Sequence, residues 1–169
     1  MFTSDHGDML IDRGMIQKRN FHEWATRIPM ILRLPGQEHA GTTIMDPCSL
    51  MDIGMTIREI TGTLNASRLP SDGVSLFDYI NKPESVKERD IFIEFHADGT
   101  FWPCYAVVRG GYKLIHIHEF KGQLFNLRED PSEMHDLIDE PQYASLVESM
   151  RKSITDRFHP EHIIEYYTT

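Results

Sequence analysis

The residues nearest the start of the chain that could do chemistry are Asp5 and His6, in the run Thr3-Ser4-Asp5-His6-Gly7. Phe2 gives this run a short apolar lead, as at the end of a buried strand. Oxygen and nitrogen ligands side by side at the carboxyl end of a strand are a common way for α/β enzymes to present a metal. The alternative is a turn whose side chains cap a helix or bond loop amides. The pair alone does not distinguish a metal site from a structural turn.

The first element expected to position this loop is the apolar run at residues 30–34, which is bounded by Pro29 and by Pro35-Gly36. A run of this length between turn residues predicts a short strand. Because the run is apolar except for Arg33, we expect it to be buried on both faces, as strands of parallel sheets are. The run therefore predicts a parallel sheet in the first half of the chain.

Residues 49–64 carry the pattern of an amphipathic helix. Ser49 fits a helix N-cap. The apolar residues behind it are spaced as on one helix face: Ile53, Ile57, Ile60 and Leu64. A short helix is predicted around residues 75–80, and Asn81-Lys82-Pro83 breaks the pattern. We therefore expect two units, residues 1–84 as the remainder of an α/β core and residues 85–169 as a C-terminal subdomain.

The second unit has the pattern of an antiparallel sheet followed by a long helix. Strands are predicted at residues 91–95, 105–109, 112–118 and 124–127, and Gly110-Gly111 predicts a tight hairpin. A helix from about Pro141 should lie across the sheet with one apolar face. That face comprises Leu146, Val147, Met150, Ile154 and Phe158. The tail at residues 163–167 is predicted to be either a last short helix or an arm that docks on another subunit. In the second case the protein would be a homo-oligomer.

Composition excludes several classes of function. The formal net charge of −9 over 169 residues, without a Lys/Arg cluster, argues against nucleic acid as a partner. No run approaches the length of a membrane helix, so we expect no membrane association, and the chain shows no signal peptide. The compartment stays open. The two cysteines, Cys48 and Cys104, have no C-x-x-C spacing, which favours free thiols over a zinc or redox pair.

Taken in order, these residues resemble the sulfatase family, part of the alkaline-phosphatase-like superfamily. The matching positions cover nearly the whole chain: F-T-S-D-H-G-D-M-L at 2–10, Lys18, R-I-P-M-I at 27–31, L-P-G at 34–36, D-G-V-S-L at 72–76, R-G-G-Y-K-L-I at 109–115 and L-F-N-L-R-E-D-P-S-E at 124–133. The resemblance implies the C-terminal part of an α/β sulfatase fold. That part would combine a remnant of the main parallel or mixed sheet with a small antiparallel sheet packed on a C-terminal helix.

The resemblance also implies a sulfuric ester hydrolase in which Asp5 and His6 are two ligands of a divalent cation, usually Ca²⁺. Lys18 matches the family's sulfate-binding lysine and is the expected catalytic cation. A mobile ammonium near a metal can hold a sulfate oxygen and neutralise charge on the leaving oxygen. Arg13 stands where many members carry His, as in the choline-sulfatase-like branch. It would add a substrate contact or pair with Asp12.

The family's nucleophile is a formylglycine made from Cys or Ser in C/S-x-P-S/A-R, and this sequence contains no such run. The aspartates that complete the family's metal site are missing too. We therefore expect a sulfatase C-terminal part that does not hydrolyse its sulfate-ester substrate alone, with the formylglycine in a preceding segment. The alternatives are a phosphonate or phosphate ester hydrolase of the same superfamily, and a non-catalytic remnant that binds a metal or a partner.

Two further segments contain residues that could contribute to function. His116 and His118 share one face of a predicted strand and could bind a metal, but solvated strand histidines are the favoured interpretation. Residues 95–102 precede the Gly-Gly hairpin in a position from which the family's loop can reach substrate. We expect this loop to contribute to specificity.

Overall fold

The computed structural model describes residues 1–64, 70–96, 99–100 and 102–168, with side chains as far as Ile164 in the last helix. The strands in these residues are β1 (Phe2–Thr3), β2 (Met9–Leu10), β3 (Ile16–Gln17), β4 (Met30–Ile31), β5 (Ile91–Phe95), β6 (Cys104–Arg109), β7 (Tyr112–Ile117) and β8 (Gln123–Asn126). The α-helices are α1 (Glu23–Thr26), α2 (Met51–Ile60), α3 (Asp78–Asn81), α4 (Pro83–Val86), α5 (Ala144–Phe158) and α6 (Pro160–Thr168). The predicted α/β class, with an antiparallel sheet and a C-terminal helix, is confirmed.

The antiparallel sheet has the strand order β5-β6-β7-β8, in which each strand pairs with its neighbour along the chain. Its middle hairpin turns at Gly110 and Gly111, whose φ angles of 56° and 93° lie in the left-handed region. A two-residue turn with both φ angles positive matches the twist of the flanking strands, and glycine adopts it without a steric penalty. The predicted meander and hairpin are therefore confirmed.

Helix α5 covers one face of this sheet. Three of its predicted apolar residues are buried, namely Val147, Met150 and Ile154. They form a core with side chains that alternate along the strands: Tyr105, Val107, Leu114 and Leu124. Period-two alternation on the strands and a three-to-four spacing on the helix place both apolar faces against each other. This packing holds α5 against the sheet.

The opposite face of the sheet packs toward the N-terminal half of the chain. Its buried side chains, Ala106, Ile115 and Phe125 among them, form a second core. Phe21 joins this core from the segment that precedes α1. The sheet thus has a helix on one side and the segment leading into α1 on the other.

The N-terminal strands differ from the prediction for residues 30–34. Strand β4 has two residues and pairs antiparallel with β1, so the expected parallel pairing is wrong within the described residues. Only alternate residues of the run are covered: Met30 and Leu32 pack against a cluster around Leu76, whereas Ile31 is 59% exposed. The run therefore has one covered face, which is the pattern of an antiparallel strand.

Helix α2 forms as predicted, but with another face inward. The N-cap of the helix is Leu50 rather than the predicted Ser49, and it makes no side-chain capping bond. Ser49 lies one residue earlier, where its hydroxyl accepts from the Met51 N–H at 3.3 Å and its own N–H donates to the Asp52 carboxylate at 2.8 Å. The fully buried residues of the helix are Asp52 and Thr56, while Ile57 and Ile60 of the predicted stripe are exposed.

Asp52 is buried because it collects several donors. Arg89 contacts both carboxylate oxygens at 2.9 and 3.0 Å, the Val74 N–H lies at 2.9 Å, and the Tyr79 hydroxyl lies at 3.1 Å. A buried carboxylate is tolerated when its lone pairs are all engaged in this way. This cluster links α2 to the D-G-V-S-L run and to Arg89, two residues before β5.

The C-terminal tail is helical. Helix α6 follows α5 after a kink at His159, and Ile163 packs against the core under α5. Of the two interpretations of the tail, the last short helix is confirmed. No helix in the described part of the chain has both the length and the apolar character needed to cross a membrane.

Candidate functional site

The structure brings together three residues singled out in the sequence, Asp5, His6 and Lys18. The Lys18 Nζ lies 2.8 Å from the His6 Nε2, and the Asp5 Oδ2 lies 3.5 Å from the same nitrogen. Strands β2 and β3 produce this proximity, because their antiparallel pairing folds the chain back and returns residue 18 to the loop after β1. A carboxylate, an imidazole and an ammonium therefore share one exposed corner.

The hydrogen bonds of His6 decide which ring nitrogen is available. The Nδ1 lies 2.7 Å from the Gly7 carbonyl oxygen, which can only accept a hydrogen bond, so the Nδ1 carries the proton. This tautomer leaves the Nε2 lone pair directed at the Lys18 ammonium. A histidine held by a backbone carbonyl through one nitrogen commonly binds a cation through the other.

Asp5 is an exposed carboxylate, with 83% of its side chain accessible. The His6 backbone N–H donates to its Oδ1 at 2.9 Å, and this bond is the main reason that the pKa of Asp5 lies below its usual value. The carboxylate is therefore charged at neutral pH, as a cation ligand must be.

The loop that carries these ligands is seated on α1. The Gly7 N–H donates to the Ala25 carbonyl oxygen at 2.9 Å. A Cβ atom at Gly7 would lie 2.0 Å from the Trp24 carbonyl oxygen, so only glycine fits at this distance. The glycine of the Asp-His-Gly run thus serves close packing of the loop against the helix.

Helix α1 is held in turn by a buried carboxylate from the other end of the chain. The Glu133 Oε2 accepts from the Glu23 N–H at 2.8 Å, at the first residue of α1, and lies 3.0 Å from the His22 Nδ1. The Glu133 Oε1 accepts from Lys113 Nζ at 2.9 Å. Both charged side chains are buried, with 2% of Glu133 and 0% of Lys113 accessible.

Lys113 has further partners in the same cluster. Its ammonium lies 2.6 Å from the Glu23 Oε1 and 2.8 Å from the Phe21 carbonyl oxygen. Burial on its own would raise the pKa of Glu133, but the hydrogen bond with His22 and the Lys113 ammonium outweigh it and lower that pKa to about 2. The Glu133 carboxylate is therefore ionised, and both of its oxygens accept hydrogen bonds.

Arg13 takes a structural contact in this chain. Its guanidinium donates to the carbonyl oxygen of Ser132 at 2.8 Å and also to that of Glu133. This contact ties the turn between β2 and β3 to the D-P-S-E run. The structure therefore directs the Arg13 side chain at the C-terminal subdomain, and the role of Arg13 as a substrate contact stays a prediction.

Other sequence candidates stand apart from this corner. His116 is 6% exposed, so the interpretation of it as a solvated histidine is wrong; burial lowers its pKa to about 4. Cys104 is buried, and burial raises the pKa of Cys48, which disfavours the nucleophilic thiolate form of Cys48. Part of the predicted specificity loop, residues 97–98 and 101, lies outside the described residues.

Two ligands alone make a partial metal site. Throughout the part of the chain that the structure describes, no three His, Cys, Asp or Glu side chains lie close enough together to hold a metal ion. Asp5 and His6 supply one oxygen and one nitrogen, whereas Ca²⁺ takes six to eight oxygen ligands and tolerates few substitutes. Any cation held here needs ligands beyond these two.

Sequence reasoning missed the buried cluster of Lys113 and Glu133. Each lies in a run that resembles the family, R-G-G-Y-K-L-I and D-P-S-E, but neither pattern indicates burial or a partner. The available signal was the position of Lys113 between two apolar residues of a strand. The sheet packs on both faces, so a charged side chain there must be paired.

Comparison with known proteins identifies the family. The family described as "N-sulphoglucosamine sulphohydrolase, C-terminal" matches residues 12–159. The chain belongs to this sulfatase family. Choline-sulfatase of Rhizobium meliloti (strain 1021) is 34% identical over 143 residues, which are 84% of this chain and 27% of that relative. The sulfatase chain thus spans about a quarter of the length of this relative.

Solved structures show the same fold. One, a protein in complex with its substrate D-glucosamine-2-N,6-O-disulfate, superimposes with a TM-score of 0.73 at 24% identity, covering 94% of this chain and 34% of that one. The phosphonate monoester hydrolase of Agrobacterium radiobacter gives a TM-score of 0.71 at 23% identity, covering 92% and 34%. The part of the chain that both superpositions cover therefore adopts a portion of the fold that the two proteins share.

Proposed function

We propose that this chain supplies part of the divalent-cation and sulfate-binding site of a sulfuric ester hydrolase. Asp5 and His6 hold the cation, and Lys18 holds the sulfate. The observation that carries the proposal is the convergence of the Asp5 Oδ2 and the Lys18 Nζ on the His6 Nε2, at 3.5 and 2.8 Å. The Lys18 ammonium already places a positive charge at the nitrogen that would bind the cation.

The residues fit a divalent cation in their chemistry. Asp5 is ionised, and the Nε2 of His6 presents a lone pair because the Nδ1 proton is used by the Gly7 carbonyl. A cation at this position would polarise an ester oxygen and offset the charge that develops on it. The Lys18 side chain, displaced from the Nε2 by that cation, is long enough to reach an anionic oxygen beside it.

The nucleophile is not among the residues of this chain. Its sequence contains no C/S-x-P-S/A-R run, Cys104 is buried, and burial raises the pKa of the Cys48 thiol. We therefore propose that the 169 residues bind without turning over, and that a formylglycine from a separate segment completes the enzyme. Within the site, this chain's residues orient the ester and neutralise its charge.

Titration of the purified chain with Ca²⁺ tests the cation site. We expect weak binding, in about the millimolar range of incomplete oxygen sites, and no binding by Asp5→Asn or His6→Leu. His6→Asn should keep the affinity because an amide oxygen can replace the imidazole. Glu38→Gln removes an exposed carboxylate from another loop and is the control for net charge.

Three results would count against the cation site. These are no binding by the wild-type chain, equal binding by His6→Leu, or loss of binding in Glu38→Gln. Binding far tighter than two ligands allow would favour an independent metal-binding module instead. Turnover of an aryl sulfate by the purified chain, abolished in Lys18→Ala, would overturn the proposal that the chain is inactive alone.

A phosphonate or phosphate ester hydrolase is the second candidate, and the structural similarity to a phosphonate monoester hydrolase is the observation that favours it. The same cation and lysine serve either tetrahedral anion, so the three residues do not discriminate. Rates of a complete enzyme containing this chain on aryl sulfate, aryl phosphate and aryl phosphonate, with one leaving group, decide between them.

A further inference from the structure

We propose that Glu133, held by Lys113, is a positioning residue for the cation ligands at the other end of the chain. This inference rests on the proposed function, because it concerns the same ligands. It goes further by assigning a role to two residues of the C-terminal subdomain that touch neither the cation site nor substrate.

The path from Glu133 to His6 consists of direct contacts. The Glu133 carboxylate accepts the N–H of Glu23 at the first residue of α1, at 2.8 Å. Two residues further along α1, the Ala25 carbonyl oxygen accepts the Gly7 N–H at 2.9 Å. The Gly7 carbonyl oxygen holds the His6 Nδ1 at 2.7 Å and so sets its tautomer. The backbone of α1 and the Gly7 residue therefore connect the buried carboxylate to the imidazole of His6.

Helix α1 depends on the Glu133 carboxylate because the helix is short and has no N-terminal side-chain cap of its own. It is four residues long, and His22 at its N-cap makes no side-chain capping bond, so Glu133 supplies the acceptor for its first N–H. Short isolated helical turns are unstable in water. The position of the Ala25 carbonyl oxygen, and with it the seat for Gly7, therefore follows from Glu133.

Lys113 fixes the carboxylate from the opposite side. It holds the Glu133 Oε1 at 2.9 Å while also contacting the Glu23 side chain and the Phe21 carbonyl oxygen. Since β7 carries Lys113 within the paired sheet, the ammonium has a rigid base. The Arg13 contacts to the backbone carbonyl oxygens of Ser132 and Glu133 hold the same run from outside. The sheet thus fixes the position of the ligand loop, the Asp5-His6-Gly7 run that carries the proposed cation ligands.

The test variant is Glu133→Gln, measured by amide hydrogen exchange of the full chain. A Gln side chain keeps one acceptor oxygen and turns its NH₂ group either at the Lys113 ammonium or at the Glu23 N–H. One of the two sets of contacts is therefore lost. We expect the Gly7 amide to exchange about tenfold faster, the equivalent of one hydrogen bond, while the sheet amides of Ala106 and Leu114 keep their rates.

Asp90→Asn is the matched control. It converts a carboxylate to an amide in another ion pair of the same subdomain, the one with Arg109, and should leave the rate of the Gly7 amide unchanged relative to those of the sheet amides. If Glu133→Gln does not fold, Glu133→Asp, which withdraws the carboxylate by one methylene, is measured in the same way.

The inference is overturned if Gly7 keeps its rate in Glu133→Gln, or if all amides accelerate by one factor, because the effect is then only global. Ca²⁺ titration of the same variants separates the two proposals. Faster Gly7 exchange with no Ca²⁺ binding even by the wild type refutes the cation site and supports the positioning role. Unchanged Gly7 exchange with normal Ca²⁺ binding does the reverse.

Discussion

The buried Glu133 carboxylate makes a specific prediction about acid stability. Its pKa is lowered from 4.5 to about 2 in the folded chain. The ionised form is therefore favoured by folding, so its stabilising contribution is complete above pH 4.5 and is lost as the pH falls toward 2. The side chain is 2% exposed, so solvent screening takes little from this effect.

The size of the effect follows from the two pKa values. Linkage gives a loss of about 1.4 kcal/mol from this one carboxylate between pH 7 and about pH 3.5. Glu133→Gln cannot lose this contribution because its amide does not titrate. The difference in unfolding free energy between wild type and variant should therefore narrow by about 1.4 kcal/mol on acidification.

Urea unfolding of wild type and Glu133→Gln at pH 7 and at about pH 3.5 measures this change in the free-energy difference. The contributions of all other carboxylates cancel, because both proteins contain them. Equal m-values show that the same surface unfolds in each case. The narrowing should persist in about 1 M salt, because a buried pair is little screened. A difference that stays constant with pH, or that disappears in salt, would refute the assignment of a buried and paired Glu133.

Two further predictions concern His116 and the glycines. Burial lowers the pKa of His116 from 6.5 to about 4, so wild type should lose about 2 kcal/mol of unfolding free energy between pH 8 and pH 5, a loss that His116→Phe avoids. His118→Phe makes the same exchange of an imidazole for a phenyl ring at a neighbouring position and is the control. If the unfolding free energy has the same pH dependence in wild type and in His116→Phe, the prediction is contradicted. Gly7→Ala should unseat the ligand loop and lower the melting temperature, because its Cβ meets a carbonyl oxygen at 2.0 Å. Gly54→Ala, in open space on α2, should stabilise by about 0.5–1 kcal/mol; a neutral Gly7→Ala would disprove the close packing.

The antiparallel sheet and helix α5 were predictable because their sequence signals are local. Alternating apolar residues, the Gly110-Gly111 turn and the regular apolar spacing of α5 each define one element without help from distant residues. The resemblance assigned Lys18 and His6 to one site, but it did not predict the contact between their side chains. The turn between β2 and β3 that brings the two together has no strong sequence pattern.

The side chains whose burial the sequence did not predict have a common physical cause. The apolar stripe of α2 was expected inward, but Asp52 is buried instead, because Arg89 reaches it from 37 residues further along the chain. Lys113 is buried because two carboxylates pair with its ammonium, Glu133 from the turn after β8 and Glu23 from α1. A pattern within one element cannot reveal partners supplied by distant segments, which decide whether a charge is buried.

The separation of Glu133 from its partners also fixes an order of events during synthesis. His22 and Glu133 are 111 positions apart, and Lys113 lies 92 positions from Phe21. A ribosome releases the Asp-His-Gly loop early, but the carboxylate that seats α1 emerges only after the fourth strand of the sheet. Contacts of such long sequence separation form late. The ligand loop should therefore stay unformed on the nascent chain until the D-P-S-E run has left the exit tunnel.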